Sequence, residues 1–206
     1  MQDETTPPKP YHHGSLKEAL VAAGMEILDA RGLEALSLRA IAAHVGVSHT
    51  APKNHFGSLK GLLTAIAANG FHRHRTYMLA DANSDDPKQR QRAAMQGYVR
   101  FAADHPHLFR LMFSPALCSF DDPALTNAAR ASYGVLQDIA AGLDWDKSGL
   151  PDGARRAEMM LRSMVHGFAT LQVAGMTPPD GAMLDITDIM PNFGFLAQNG
   201  TQNPHG

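Results

Sequence analysis

Between Ala35 and Tyr77 the chain carries no Asp and no Glu. At the acid content of the whole chain, a stretch of that length holds about four. Its centre is SLRAIAAHVGVSHTAPKNHF, Ser37 to Phe56. Helical spacing reads this as two short helices around Gly46. Leu38, Ile41, Ala42 and Val45 turn inward on the first. Gly46 supplies the φ > 0 of a tight turn, and Val47 returns to the core. A helix pair with basic groups and no carboxylates is what a phosphate-rich surface such as DNA selects for.

The charge is uneven along the chain. Arg39, Lys53, Lys60, Arg73 and Arg75 give the acid-free stretch about +5, so a formal net charge of −2 leaves about −7 for the remainder. His44, His49, His55, His72 and His74 add partial positive charge near phosphate. The net value argues against a general coat for nucleic acid; the distribution argues for one basic end on an acidic body. A length of 206 residues and an apolar share of 44% suit one large domain, or a small one joined to a medium one, with a real core. Cys118 is the single cysteine, which excludes a disulfide within the chain and a cysteine-based zinc site. The N-terminal MQDETTPPKPYHHG is polar and proline-rich, without an apolar signal core, and no apolar run approaches the ~18 residues of a membrane span. The expectation is a soluble cytoplasmic protein with no membrane partner and no cofactor.

The pattern predicts an all-α fold. Residues 1–13 read as a flexible arm, 14–80 as a helix-turn-helix DNA-binding domain, and 81–206 as a helical ligand-binding and dimerisation domain. Ser15 and Glu18 form a capping box for a first helix over 15–31. Ser37 caps the second. Ser48 is expected to cap the third, which Pro52 shortens and Gly57 ends. Ser58 caps a fourth helix reaching about Leu79. The segment DANSDDP, Asp81–Pro87, reads as a linker. Further helices are expected over 88–104, 106–113, 122–143, 153–175 and 181–198, punctuated by prolines. There is no period-2 run of β-branched residues and no internal repeat.

In a helix-turn-helix the second helix of the pair enters the major groove and the first braces it. The outward groups of the second helix are His49, Thr50, Lys53, Asn54 and His55. Lys53 can meet phosphate or guanine O6/N7, and Asn54 can read adenine N6/N7. Ser48 and Thr50 can bind phosphate oxygens, and Arg39 and Lys60 are phosphate clamps. Ser37 completes the predicted contact set. Phe56 reads as a core plug.

Residues 15–63 resemble the DNA-binding domain of the TetR (tetracycline-repressor-like) transcriptional regulators. The resemblance rests on ALSLRAIAAHVGVSHTAPKNHFGSLKGLL, in particular Gly46-Val47-Ser48, His55-Phe56, Ser58 and Leu62-Leu63. It implies a homodimer on a palindromic double-stranded DNA operator, a three-helix DNA-binding unit, a larger helical C-terminal domain, and repression relieved by a small-molecule effector. This chain has Lys53 where the family usually has Tyr, and Leu59 followed by Lys60 where it usually has Lys one place earlier. Pro52 is unusual for the family at large, though a subset resembles it. YVRFAADHPHLFRLMF and MVHGFATL resemble the branch named for a Trp…His-Gly motif. His166-Gly167 is present; Arg162 lies near the expected tryptophan, and the sole Trp is Trp145.

Resembling proteins enclose a cavity in the C-terminal domain. On that basis Phe101, Phe109, Met112, Met160 and Met164 are expected to line it. His166 is either a polar anchor there or a packed histidine, hydrogen-bonded through a close approach that Gly167 permits. His105 and His107 are too few for a metal site, and His72 and His74 point to different faces of one helix, so no metal is expected. Helices 153–175 and 181–198 are the expected dimer interface. No nucleophile motif, phosphate loop or paired carboxylates support an enzyme. A helical ligand-binding or interaction protein with weakened DNA binding is the alternative on the residues alone.

Overall fold

The computed structural model of the chain describes residues 16–143, 146, 150–176 and 184–189. Among them all regular structure is helical. The first helix, α1 (Leu16–Arg31), buries Leu20, Ala23, Ile27 and Leu28. Ser15, and with it the capping box, lies outside the described residues. A 3-10 turn, Leu33–Ala35, leads into α2 (Leu38–Val45). There the Ser37 side chain accepts the Ala40 N–H at 3.0 Å, and Gly46 closes the helix at φ 76. A cap of this kind is worth about 1 kcal/mol.

The next helix, α3, is Ala51–Phe56, so it starts later than a Ser48 cap requires. The reason is local. Ser48 O accepts the Ala51 N–H at 3.0 Å in a turn, and the Ser48 hydroxyl bonds that of Thr50 at 3.1 Å. Thr50 precedes the helix without a side-chain cap. Pro52, in the first turn, offers no N–H to accept. Pro52 is also buried, so it both shortens α3 and anchors it.

Helix α4 (Leu59–Leu79) is capped by Ser58, which accepts the Gly61 N–H at 3.1 Å. A Cβ at position 61 would lie 2.1 Å from the Phe56 carbonyl oxygen, so only glycine lets the end of α3 rest on the first turn of α4. The first half of α4 closes the N-terminal head, with Leu62, Leu63 and Ile66 buried among residues of α1 and α2. Its second half, with Phe71, His74 and Met78, belongs to the core of the body. One uninterrupted helix therefore serves both parts.

The body continues with α5 (Pro87–Asp104), α6 (Pro106–Met112), α7 (Pro123–Ala140) and α8 (Gly153–Val173). Asp86 and Asp122 cap α5 and α7 by accepting the N–H groups of Lys88 and Leu125, each with proline at the helix start. The helix expected over 181–198 is not formed where the chain is described: residues 184–189 make a turn. The Asp185 carboxylate accepts the Thr187 N–H at 2.8 Å and its hydroxyl at 2.7 Å, and the Asp188 carboxylate accepts the Asp185 N–H at 2.9 Å. Short acidic side chains that take nearby backbone donors compete with a helix ladder. The remainder of that expected helix lies outside the described residues. No described helix is long and apolar enough to cross a membrane.

Candidate nucleic-acid interface and ligand cavity

The nine predicted contact residues share one property: Ser37, Arg39, Ser48, His49, Thr50, Lys53, Asn54, His55 and Lys60 are all exposed. Arg39 projects from α2; Lys53, Asn54 and His55 from α3; Lys60 from the first turn of α4. No carboxylate pairs with Arg39, Lys53 or Lys60 among the described residues. His44 is different, because Glu26 holds its Nε2 at 2.9 Å. The Ser37 oxygen is engaged as the α2 cap, which leaves its O–H to donate outward. Behind this face, Phe56 is half-buried against the core, and the Lys17 ammonium lies 5.8 Å from its ring centroid. The α3 face is thus held from beneath by Pro52 and Phe56 while its polar groups stay free for a partner.

The body holds a cavity of about 350 Å³ between α4, α5, α7 and α8. Phe71, Phe113, Phe120, Ala129 and Leu136 supply its apolar wall. His74, Tyr98 and Ser132 are its buried polar groups, while Thr126, Arg130, Tyr133 and Arg162 complete the lining nearer the surface. His74 Nδ1 and Ser132 Oγ share a hydrogen bond of 2.8 Å. His74 Nε2 is buried without a hydrogen-bond partner, an uncommon state for a buried polar atom. Burial, reinforced by neighbouring His166, lowers the His74 pKa to about 3, so its ring is neutral at ordinary pH. Burial likewise raises the pKa of the Tyr98 phenol, which stays protonated. Arg162 lies 4.7 Å from the Tyr133 ring centroid in a cation–π contact.

The six residues predicted to line a cavity do not line this one. Phe101, Phe109 and Met112 are buried core. The Phe101 ring lies 5.0 Å from that of His74 and 5.3 Å from that of His105. Met112 fills the space over Gly70, where a Cβ would meet its Sδ at 2.6 Å. Met160 and Met164 are half-buried on α8. His166 sits behind the wall, sharing a 2.8 Å hydrogen bond with Tyr98 and lying 4.5 Å from the Phe113 ring. Burial, then the Arg162 charge, depresses its pKa. A Cβ on Gly167 would meet nothing within 4 Å, so the expected close approach there is absent and Tyr98 sets the orientation of His166.

The inward faces of α5 and α6 fill the core, whereas the free space opens toward α7. The readable signal was the set of polar residues at inward helical positions: His74 on α4 and Ser132 on α7. His72, two places away, is exposed, as opposite faces require.

Two family models match the chain. Residues 20–66 match "Bacterial regulatory proteins, tetR family". Residues 91–189 match "Tetracyclin repressor-like, C-terminal domain". The chain is 27% identical over 163 residues to an uncharacterized HTH-type transcriptional regulator, Rv0681, of Mycobacterium tuberculosis, covering 78% of this chain and 71% of that protein. A solved protein of unknown function from Rhodococcus sp. RHA1 is 31% identical, with a TM-score of 0.70 over 88% of this chain and 94% of the other. ActR of Streptomyces coelicolor, solved in complex with (S)-DNPA, shares the fold at 18% identity and a TM-score of 0.52, over 77% and 71% of the two chains.

Proposed function

Because this chain belongs to the TetR family of bacterial regulatory proteins and is a DNA-binding transcriptional regulator, we propose that it works as a ligand-responsive repressor. Two copies present their α3 helices to the half-sites of a palindromic operator. A small molecule filling the 350 Å³ cavity then releases them. The observation that carries the DNA half is the exposed, acid-free face of α2, α3 and the α4 start, with Arg39, Lys53 and Lys60 unpaired among the described residues. Asn54 meets the groove; Ser37, Arg39, Ser48, Thr50, Lys53 and Lys60 meet phosphates; His49 and His55 flank them.

The ligand half is supported by the fold, which in ActR has been solved in complex with (S)-DNPA, and by the cavity itself. The same helix α4 lends Phe71 and His74 to the cavity and Lys60 to the DNA face. A change at one end is therefore felt at the other. The exposed Met159 and Leu171 on α8 support a homodimer interface through this helix.

The test is selection of bound fragments from genomic DNA, followed by gel shift. A palindromic site with half-sites one turn apart, bound by a protein dimer with a steep salt slope, is the expected result. Recovery of no enriched sequence at moderate salt overturns the reading and leaves a helical interaction protein.

A further inference from the structure

The cavity is asymmetric in charge. Its lining includes two arginines and no Asp or Glu. Resting on the reading of this cavity as the effector site, we infer that its occupant is an apolar carboxylic acid of about two rings. Its body lies against Phe71, Phe113 and Tyr133, and its carboxylate is held by Arg130 and Arg162.

Size sets the body. A dry apolar cavity of about 150 Å³ takes one benzene ring, so 350 Å³ takes about two. The aromatic lining favours flat rings over a branched chain, through stacked and edge contacts.

Charge sets the head group. Among the described residues neither Arg130 nor Arg162 pairs with a carboxylate. Of the acids in the neighbouring segments, Asp122 caps α7 through the Leu125 N–H and Glu158 accepts from the Gln137 amide. The Arg162 guanidinium rests over the Tyr133 ring, which restrains it at the cavity lining. A planar guanidinium presents two parallel donors, which a carboxylate matches and a neutral amide does not. The polar groups deeper in, His74, Ser132 and Tyr98, are uncharged. A ligand cation would meet two arginines and no counter-charge.

The experiment uses the full chain and three matched probes: biphenyl-4-carboxylic acid, its amide, and 4-phenylbenzylamine. Calorimetry gives their affinities, and gel shift on the selected operator gives DNA release. The acid is expected to bind at least tenfold more tightly than the amide, with the amine weakest. In the double variant Arg130→Gln/Arg162→Gln the acid should fall to the affinity of the amide while the amide is unchanged, which also shows that the cavity is intact. Should that variant not fold, raised salt on the wild-type protein serves instead: the acid weakens and the amide does not. If the amide matches the acid, or the amine exceeds it, the inference about charge fails and the cavity reading survives. If none of the three binds, both fail.

Discussion

His105, at the start of α6, and Asp29, near the end of α1, share a hydrogen bond of 3.1 Å, with the His105 side chain mostly covered and Asp29 open to solvent on one side. This contact ties the body to the head. His105 also receives the Phe101 ring at 5.3 Å and the Tyr77 ring at 5.9 Å. Its anchor is therefore a packed aromatic cluster rather than a loose surface chain.

Asp29→Ala should lower the melting temperature by about 2–4 °C, as expected for a pair worth about 1 kcal/mol in a domain of this size. Calorimetric melts measure it. An unchanged melt would make the seam independent of this pair.

Two glycines with opposite surroundings should respond oppositely to alanine. At Gly61 the new Cβ would lie 2.1 Å from the Phe56 carbonyl oxygen, so Gly61→Ala should cost at least about 1–3 kcal/mol and displace α3. Gly134, inside α7, has nothing within 4 Å of its Cβ position. Gly134→Ala should stabilise by about 0.5–1 kcal/mol through helix propensity. Urea unfolding of both, with gel shift for Gly61→Ala, is the measurement; equal effects would contradict the packing described.

On the DNA face, Lys53→Ala should weaken binding on all sequences and make the salt slope shallower by about 1. Asn54→Ala should cost about 1–3 kcal/mol on the operator and relax the preference at one base pair. Titrations at several salt concentrations separate the two; a salt slope that stays put in Lys53→Ala would place that lysine away from the phosphates.

Much of the head was legible in the sequence because its determinants are local. Ser37, Gly46 and Ser58 act on backbone groups within four residues, and the structure shows each doing so. The start of α3 was less legible. Ser48 is chemically able to cap, but its hydroxyl is engaged by Thr50. The cavity was least legible, since its walls come from four helices far apart in sequence. Phe109 and Met112 have the right chemistry for a lining and are spent on the core instead. His74 carried the clearest overlooked signal, a histidine on the buried side of a helix whose neighbour His72 faces water.

Stability should depend on that histidine. Its folded pKa lies at about 3, below the 6.5 of an exposed ring. The unfolded chain therefore takes up a proton as pH falls below 6.5 while the folded one does not. Stability is complete above that value and is lost as pH falls toward 3. Between pH 7.5 and 5.5 the loss from His74 is about 1.4 kcal/mol, and His166, also depressed, acts in the same direction. Urea unfolding at both pH values should show the drop in the wild type and a smaller one in His74→Asn.

Helix α4 contains no proline and runs unbroken from Leu59 to Leu79. Lys60 and His74 are fourteen residues apart on it, about 21 Å along the axis. A rod of that length converts angle into distance. A tilt of about 5° pivoted at His74 carries Lys60 through about 2 Å, more than the tolerance of a hydrogen bond to phosphate. In the dimer proposed above, two such rods set the gap between two reading heads, and that gap has to match one turn of DNA, about 34 Å. The protein can thus lose its operator without melting any helix: a misfit of span is enough.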